Sequence, residues 1–173
     1  MKFTPTVAIC RETGLDRRMP AAYRSGMTAT PVPSDILIAH FASRLSFETD
    51  PSDVRADQQN GTSFVLIDSR GDQAWAQGRI TGAVHLPTAE IPRRARTEIP
   101  LDTPVVTYCW GPGCNGSTRA ALEFARLGYQ VREMIGGYEY WVREGYPAED
   151  DGGALASRID PLTAPRGAIS CDC

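Results

Sequence analysis

The chain has 173 residues, 42% of them hydrophobic and 23% charged, with a formal net charge of -3. That composition supports one packed domain with extensions and argues against nucleic acid as the main partner. No apolar run approaches the roughly 18 residues that a membrane span needs.

Met1 to Pro33 shows no sustained periodicity and is broken by Pro5, Pro20, Pro31 and Pro33. It reads as a loosely ordered N-terminal arm, residues 1–33. Ordinary sequence follows Met27, which makes Met27 a candidate native start. With no secretory h-region near the N-terminus, the cytoplasm is the expected location.

Ser34 opens a helical pattern with Ile36, Leu37, Phe41, Leu45 and Phe47 at helix spacing, capped by Ser34 or Asp35. Thr49-Asp50-Pro51 starts a second helix, with Pro51 at its first position and Asn60-Gly61 as its stop. Both helices are expected to cover a sheet. Phe64-Val65-Leu66-Ile67, ending at Asp68, suits a strand buried on both faces. Asp72 is a candidate cap for a short helix ended by Gly78, Ala83 to Pro87 a second strand, and Thr88 the cap of the next helix. Val105 to Tyr108 is a strand, Thr118 to Leu127 a helix stopped by Gly128, and Val131 to Ile135 a strand. Gly136-Gly137 turns into a last short helix through Trp141. Strands alternating with helices predict a parallel α/β sheet, whose ligands bind beyond the carboxyl ends of the strands.

One such end carries Cys109-Trp110-Gly111-Pro112-Gly113-Cys114-Asn115-Gly116-Ser117-Thr118-Arg119. A strand, a glycine-rich loop and a helix N-terminus make a cradle for an anion or a thiolate. Loop N–H groups and the helix dipole are expected to lower the Cys109 pKa and make it a nucleophile. Gly111, Gly113 and Gly116 supply flexible φ angles, and Pro112 stiffens the loop. Trp110 is a candidate wall of the pocket, or a packing residue. Cys114 is either a resolving thiol or a small loop residue. Arg119 faces the site or solvent. His85 reads as a core or rim histidine.

The five cysteines are Cys10, Cys109, Cys114, Cys171 and Cys173. An odd count without a signal peptide does not suggest a disulfide framework. Cys171 and Cys173 close a tail, residues 148–173, and are candidates for sulfur acceptors, metal ligands or plain tail residues. Two ligands fall short of the four that a structural zinc takes, and no metal or cofactor is expected.

Asp68-Ser69-Arg70, then Gly78 to Pro87, then Tyr108-Cys109 with its loop, then Gly136-Gly137-Tyr138 to Trp141 resemble a rhodanese domain. The resemblance implies an α/β fold with a five-stranded parallel sheet over residues 34–147. It implies a sulfurtransferase that moves sulfane sulfur from a donor such as thiosulfate to a thiophilic acceptor through a persulfide on Cys109. The loop from Trp110 through Gly111, Gly113, Cys114, Asn115, Gly116, Ser117 and Thr118 to Arg119 matches the family's sulfur-cradling loop, with Asp68, Arg70 and Arg79 in support. Its partners would be a small sulfur-donor anion, a thiol or cyanide acceptor and a candidate protein sulfur acceptor, with no nucleic acid and no membrane.

The sequence departs from the family's pattern in three ways. Arg79 stands where histidine is usual, Thr81 stands where proline is usual, and the loop is about two residues longer than common and holds Cys114. Two other functions stay open: a non-catalytic binding module or thiol redox switch, and a cysteine phosphatase. The last needs Cys-x5-Arg to clamp phosphate. Nine residues separate Cys109 from Arg119, and four separate Cys114 from it, so neither spacing fits and the phosphatase ranks last.

Overall fold

The computed structural model describes residues 32–163. The candidate start at Met27 and the thiols Cys10, Cys171 and Cys173 lie outside the described residues. Residues 32–37 belong to one unit of the chain and residues 38–163 to another. In the first, Pro33 leads into helix α1 (Ser34–Phe47), its carbonyl accepting from the Ile36 and Leu37 N–H groups at 3.1 and 3.2 Å.

In the second unit, the rest of α1 buries no residue, and Phe41, Leu45 and Phe47 are 55, 78 and 61% exposed. The expectation that this helix covers the sheet is therefore not met. At about 100° per residue its apolar positions spread around the axis rather than forming one stripe. Helix α2 (Pro51–Asn60) does pack, burying Pro51 and Val54. Asp50 caps it by accepting from the Asp53 N–H at 2.9 Å, and Gly61 ends it at φ 71°.

The main sheet contains β1 (Glu48–Thr49), β2 (Val65–Asp68), β4 (Val84–His85), β5 (Val105–Tyr108) and β6 (Val131–Met134). Its order is β1-β6-β5-β2-β4, with every pairing parallel. The five-stranded parallel sheet is as expected. Strand β1 carries no apolar run and was not foreseen.

The central strands feed both faces. Ile67 and Val105 join Leu86, Ile91, Ala95, Ala120 and Phe124 beneath α4 (Ile91–Glu98) and α5 (Gly116–Arg126). Leu66, Val106 and Tyr108 join Val54, Ile80, Met134 and Trp141 beneath α2 and α6 (Gly137–Arg143). Alternate side chains of a strand point to opposite faces, so burial on both sides demands a continuous apolar run.

A second, antiparallel sheet was not foreseen: β3 (Arg79–Ile80), β7 (Ala148–Asp150) and β8 (Gly153–Leu155), in the order β3-β7-β8. The stretch read as a tail thus begins as two paired strands, and they join β3, which starts where α3 (Asp72–Gln77) ends at Gly78. No helix among the described residues is long and apolar enough to cross a membrane.

Candidate active site

Cys109 directly follows β5 and is a buried residue, 6% exposed. The loop above it turns back at once, the Cys114 N–H donating to the Gly111 carbonyl at 3.0 Å. That turn brings the Cys114 sulfur to 3.0 Å from the Cys109 sulfur, as two free thiols. Gly116 then opens α5. A Cβ at Gly116 would stand 2.5 Å from the Cys109 Sγ and 3.3 Å from the Cys114 Sγ. Glycine here is a matter of space: the sulfur pair occupies the volume a side chain would take.

The loop is clamped from below by the turn into α6. Tyr138 and Glu139 donate their N–H groups to the Cys109 and Trp110 carbonyls at 2.9 and 2.8 Å. Gly137 sits at φ 59°, and a Cβ there would meet the Cys109 carbonyl oxygen at 2.5 Å. This contact explains the glycine at 137 in physical terms.

Beside the cysteine lies a buried charge network. Arg70 grips Asp68 through Nε and Nη2 at 2.9 and 2.6 Å, and Nη2 also donates to the Gly78 carbonyl at 2.7 Å. The Tyr108 hydroxyl donates to Asp68 Oδ2 at 2.6 Å and accepts from the Ile80 N–H at 3.2 Å. Arg70 Nη1 has no hydrogen-bond partner among the described residues, but the guanidinium lies 4.5 Å from the Trp110 ring centre and 4.4 Å from that of Tyr138. Those ring faces attract the cation. Trp110 is thus 41% exposed and seated on Arg70.

The two thiols differ in acidity, and in the opposite sense to the expectation for Cys109. Burial, together with the contact to Cys114, pushes the Cys109 thiol up to about 11. The Trp110 N–H and the Ser69 hydroxyl pull the other way without prevailing. Cys114 is lowered, first by the hydrogen bond from Cys109, then by the Gly116 and Trp110 N–H groups and the charge of Arg119. The loop N–H groups and Arg119 therefore make Cys114, nearer the open side, the more acidic of the two thiols.

The remaining candidates divide. Cys114 and Asn115 line an open cleft of about 480 Å³ with Pro112, Gly113, Thr118 and Glu133. Ser117 and Thr118 do not aim their hydroxyls at the sulfurs; both donate to Glu133 Oε1, at 2.7 and 2.9 Å. Arg119 is exposed and acts on Cys114 through its charge. Arg79 is held by Asp151 at 2.7 Å and Glu149 at 3.6 Å, in the second sheet. His85 stacks on Trp75 and its Nε2 contacts the Arg70 carbonyl at 2.9 Å, a rim histidine as read.

Sequence reasoning passed over Ser69 and Glu133. Ser69 follows Asp68, which pairs with Tyr108 across β2 and β5, so the register sets Ser69 abreast of Cys109. Its hydroxyl donates to the Tyr108 carbonyl at 2.6 Å. That register was the available signal; for Glu133 there was none. Among the described residues, no group of three or more His, Cys, Asp and Glu side chains could hold a metal ion.

Comparison with known proteins agrees with this architecture. The family model for the rhodanese-like domain matches residues 50–144, more than half of the chain. The chain belongs to the rhodanese-like domain family. The match runs from the cap of α2 through the loop to the end of α6. The rhodanese-like chain is 35% identical over 104 residues to the thiosulfate sulfurtransferase GlpE of Pseudomonas fluorescens, covering 60% of this chain and 90% of that one. It is 33% identical to the protein of the same name from Pseudomonas aeruginosa PAO1, covering 60% and 89%. Among solved structures it is similar to the BH2092 protein of Bacillus halodurans, with a TM-score of 0.65 and 35% identity over 70% of this chain and 89% of that one.

Proposed function

We propose that the protein is a sulfurtransferase that takes the outer sulfur of a small anionic donor such as thiosulfate onto Cys109. The observation that carries this reading is the buried Cys109 at the end of β5, in sulfur contact with Cys114 under the loop that leads into α5. The thiosulfate sulfurtransferase names of the Pseudomonas relatives support the choice of donor.

The Cys109 proton passes to the Cys114 sulfur across the 3.0 Å contact. The Cys109 thiolate then attacks the outer sulfur of thiosulfate. The sulfur–sulfur bond of the donor breaks and its electron pair leaves with sulfite. The Trp110 and Gly116 N–H groups and Arg119 balance the charge that gathers at the loop during this exchange. A thiophilic acceptor, such as a thiol, cyanide or a protein thiol, subsequently removes the sulfur.

Sulfite release tests this reading, because it does not depend on where the sulfur goes afterwards. The reduced protein should release sulfite from thiosulfate, and Cys109→Ser should release none. If neither thiosulfate nor a persulfide donor gives up sulfur to the wild-type protein, the reading is wrong. A second reading, a thiol redox switch, is favoured by the contact of the two sulfurs; it predicts a readily formed Cys109–Cys114 disulfide with no sulfite release.

A further inference from the structure

We propose that Cys114 is a resolving thiol: its sulfur attacks the inner sulfur of the Cys109 persulfide, closes a Cys109–Cys114 disulfide and expels hydrosulfide. This rests on the sulfurtransferase reading and adds a second half-reaction to it.

Three observations carry it. First, the two sulfurs stand 3.0 Å apart. That is a near-attack separation, about 1 Å longer than the bond to be formed. Second, the absence of a side chain at Gly116 gives the pair its room, since a Cβ there would stand 2.5 Å from the Cys109 Sγ and 3.3 Å from the Cys114 Sγ. Third, the two cysteines face different surroundings. Cys109 is buried, whereas Cys114 lines the open cleft with Pro112, Gly113, Asn115, Thr118 and Glu133. The acidity of Cys114 agrees, since the thiol hydrogen bond, the Gly116 and Trp110 N–H groups and Arg119 all favour its thiolate.

The step balances without an external oxidant. After sulfite leaves, Cys109 carries S–S⁻ and Cys114 carries the proton. The Cys114 sulfur bonds to the Cys109 Sγ, and the bond between that Sγ and the outer sulfur breaks. The electron pair and the proton depart together as HS⁻. The sulfane sulfur is reduced to sulfide while the two cysteines are oxidised to the disulfide. A dithiol reductant then restores the pair by attacking the Cys114 sulfur, the one at the cleft, with the Cys109 thiolate as leaving group. Summed over the cycle, thiosulfate and a dithiol become sulfite, sulfide and a disulfide. The protein would then be a sulfide-releasing reductase of sulfane sulfur, as well as a carrier of it.

The test is a single turnover of the full chain, reduced, desalted and kept anaerobic, with thiosulfate and no added thiol. The wild type should release one equivalent each of sulfite and sulfide and stop. Peptide mass spectrometry should then find a Cys109–Cys114 disulfide, and dithiothreitol should restart turnover. Cys114→Ser, with Cys114→Ala as a second variant, also loses the sulfur that takes the Cys109 proton, so each should release sulfite more slowly than the wild type. Each sulfite released should leave one extra sulfur on the Cys109 peptide and no sulfide, and sulfide from either variant would overturn the resolving role. If the wild type releases sulfite yet keeps the sulfur on Cys109, or carries it on Cys114, the resolving role is overturned and the sulfurtransferase reading stands. If no sulfite appears, and a persulfide donor leaves no sulfur on the wild-type protein either, both fall.

Discussion

Tyr108→Phe removes one oxygen from the centre of the buried network and keeps the ring. That oxygen donates to Asp68 Oδ2 at 2.6 Å and accepts from the Ile80 N–H at 3.2 Å. A hydrogen bond to a charged group contributes about 1.5–3 kcal/mol, and a buried N–H left without an acceptor costs about 1–3 kcal/mol. Asp68 keeps its two bonds from Arg70, so the carboxylate is not stranded. We expect a net loss of about 3 kcal/mol. Equilibrium urea unfolding reads this as a fall of about 1–2 M in the midpoint at unchanged slope.

A pH series sharpens the test. Burial, and then the charge of Asp68, raise the Tyr108 pKa well above its ordinary value. The folded protein keeps the phenolic proton where the unfolded chain gives it up, near pH 10. Stability from this group is therefore complete below about pH 10 and is lost as pH rises beyond it. Phenylalanine has no proton to lose, so the gap between wild type and variant should narrow above that pH. A loss below about 0.5 kcal/mol, the range of inconsequential surface changes, or a gap indifferent to alkaline pH, would refute the reasoning.

The thiol pair should alkylate in a fixed order: the Cys114 peptide is labelled at lower pH than an ordinary thiol, and the Cys109 peptide only towards pH 11. Labelling of Cys109 first at neutral pH would contradict the charge distribution. Gly116→Ala sets a Cβ 2.5 Å from the Cys109 Sγ. It should therefore abolish the release of sulfite while the far-ultraviolet circular dichroism stays native; normal sulfite release would show that the sulfur pair needs no such space. Gly137→Ala meets both a left-handed φ of 59° and the Cys109 carbonyl at 2.5 Å. The backbone alone costs about 1–2 kcal/mol, so the thermal midpoint should fall by several degrees, and an unchanged midpoint would sink the clamp.

Much of the fold was legible because its strongest signals are local. Leu66-Ile67 and Val105-Val106 are continuous apolar pairs, and both faces of the sheet bury them. Asp50-Pro51 and Asn60-Gly61 mark the ends of α2 by capping chemistry that needs only neighbouring residues. What escaped reading is non-local. Glu48–Thr49 and Arg79–Ile80 are two-residue strands, recognisable only by the partners they find at Glu133 and Ala148. In α1 the opposite happened: apolar residues at helix spacing formed the helix but no buried face.

The sequence by itself determined that a cysteine would end a buried strand and lie under a glycine-rich loop at a helix start. That order is covalent, and periodicity and turn chemistry carry it. Only the tertiary structure decided which of the two thiols is the more acidic. Desolvation depends on what surrounds Cys109 in three dimensions, and the 3.0 Å contact with Cys114 depends on how the loop folds back. It also decided that Arg79 serves the second sheet while Arg119 serves the thiols, because charges act through distances that spacing along the chain does not specify.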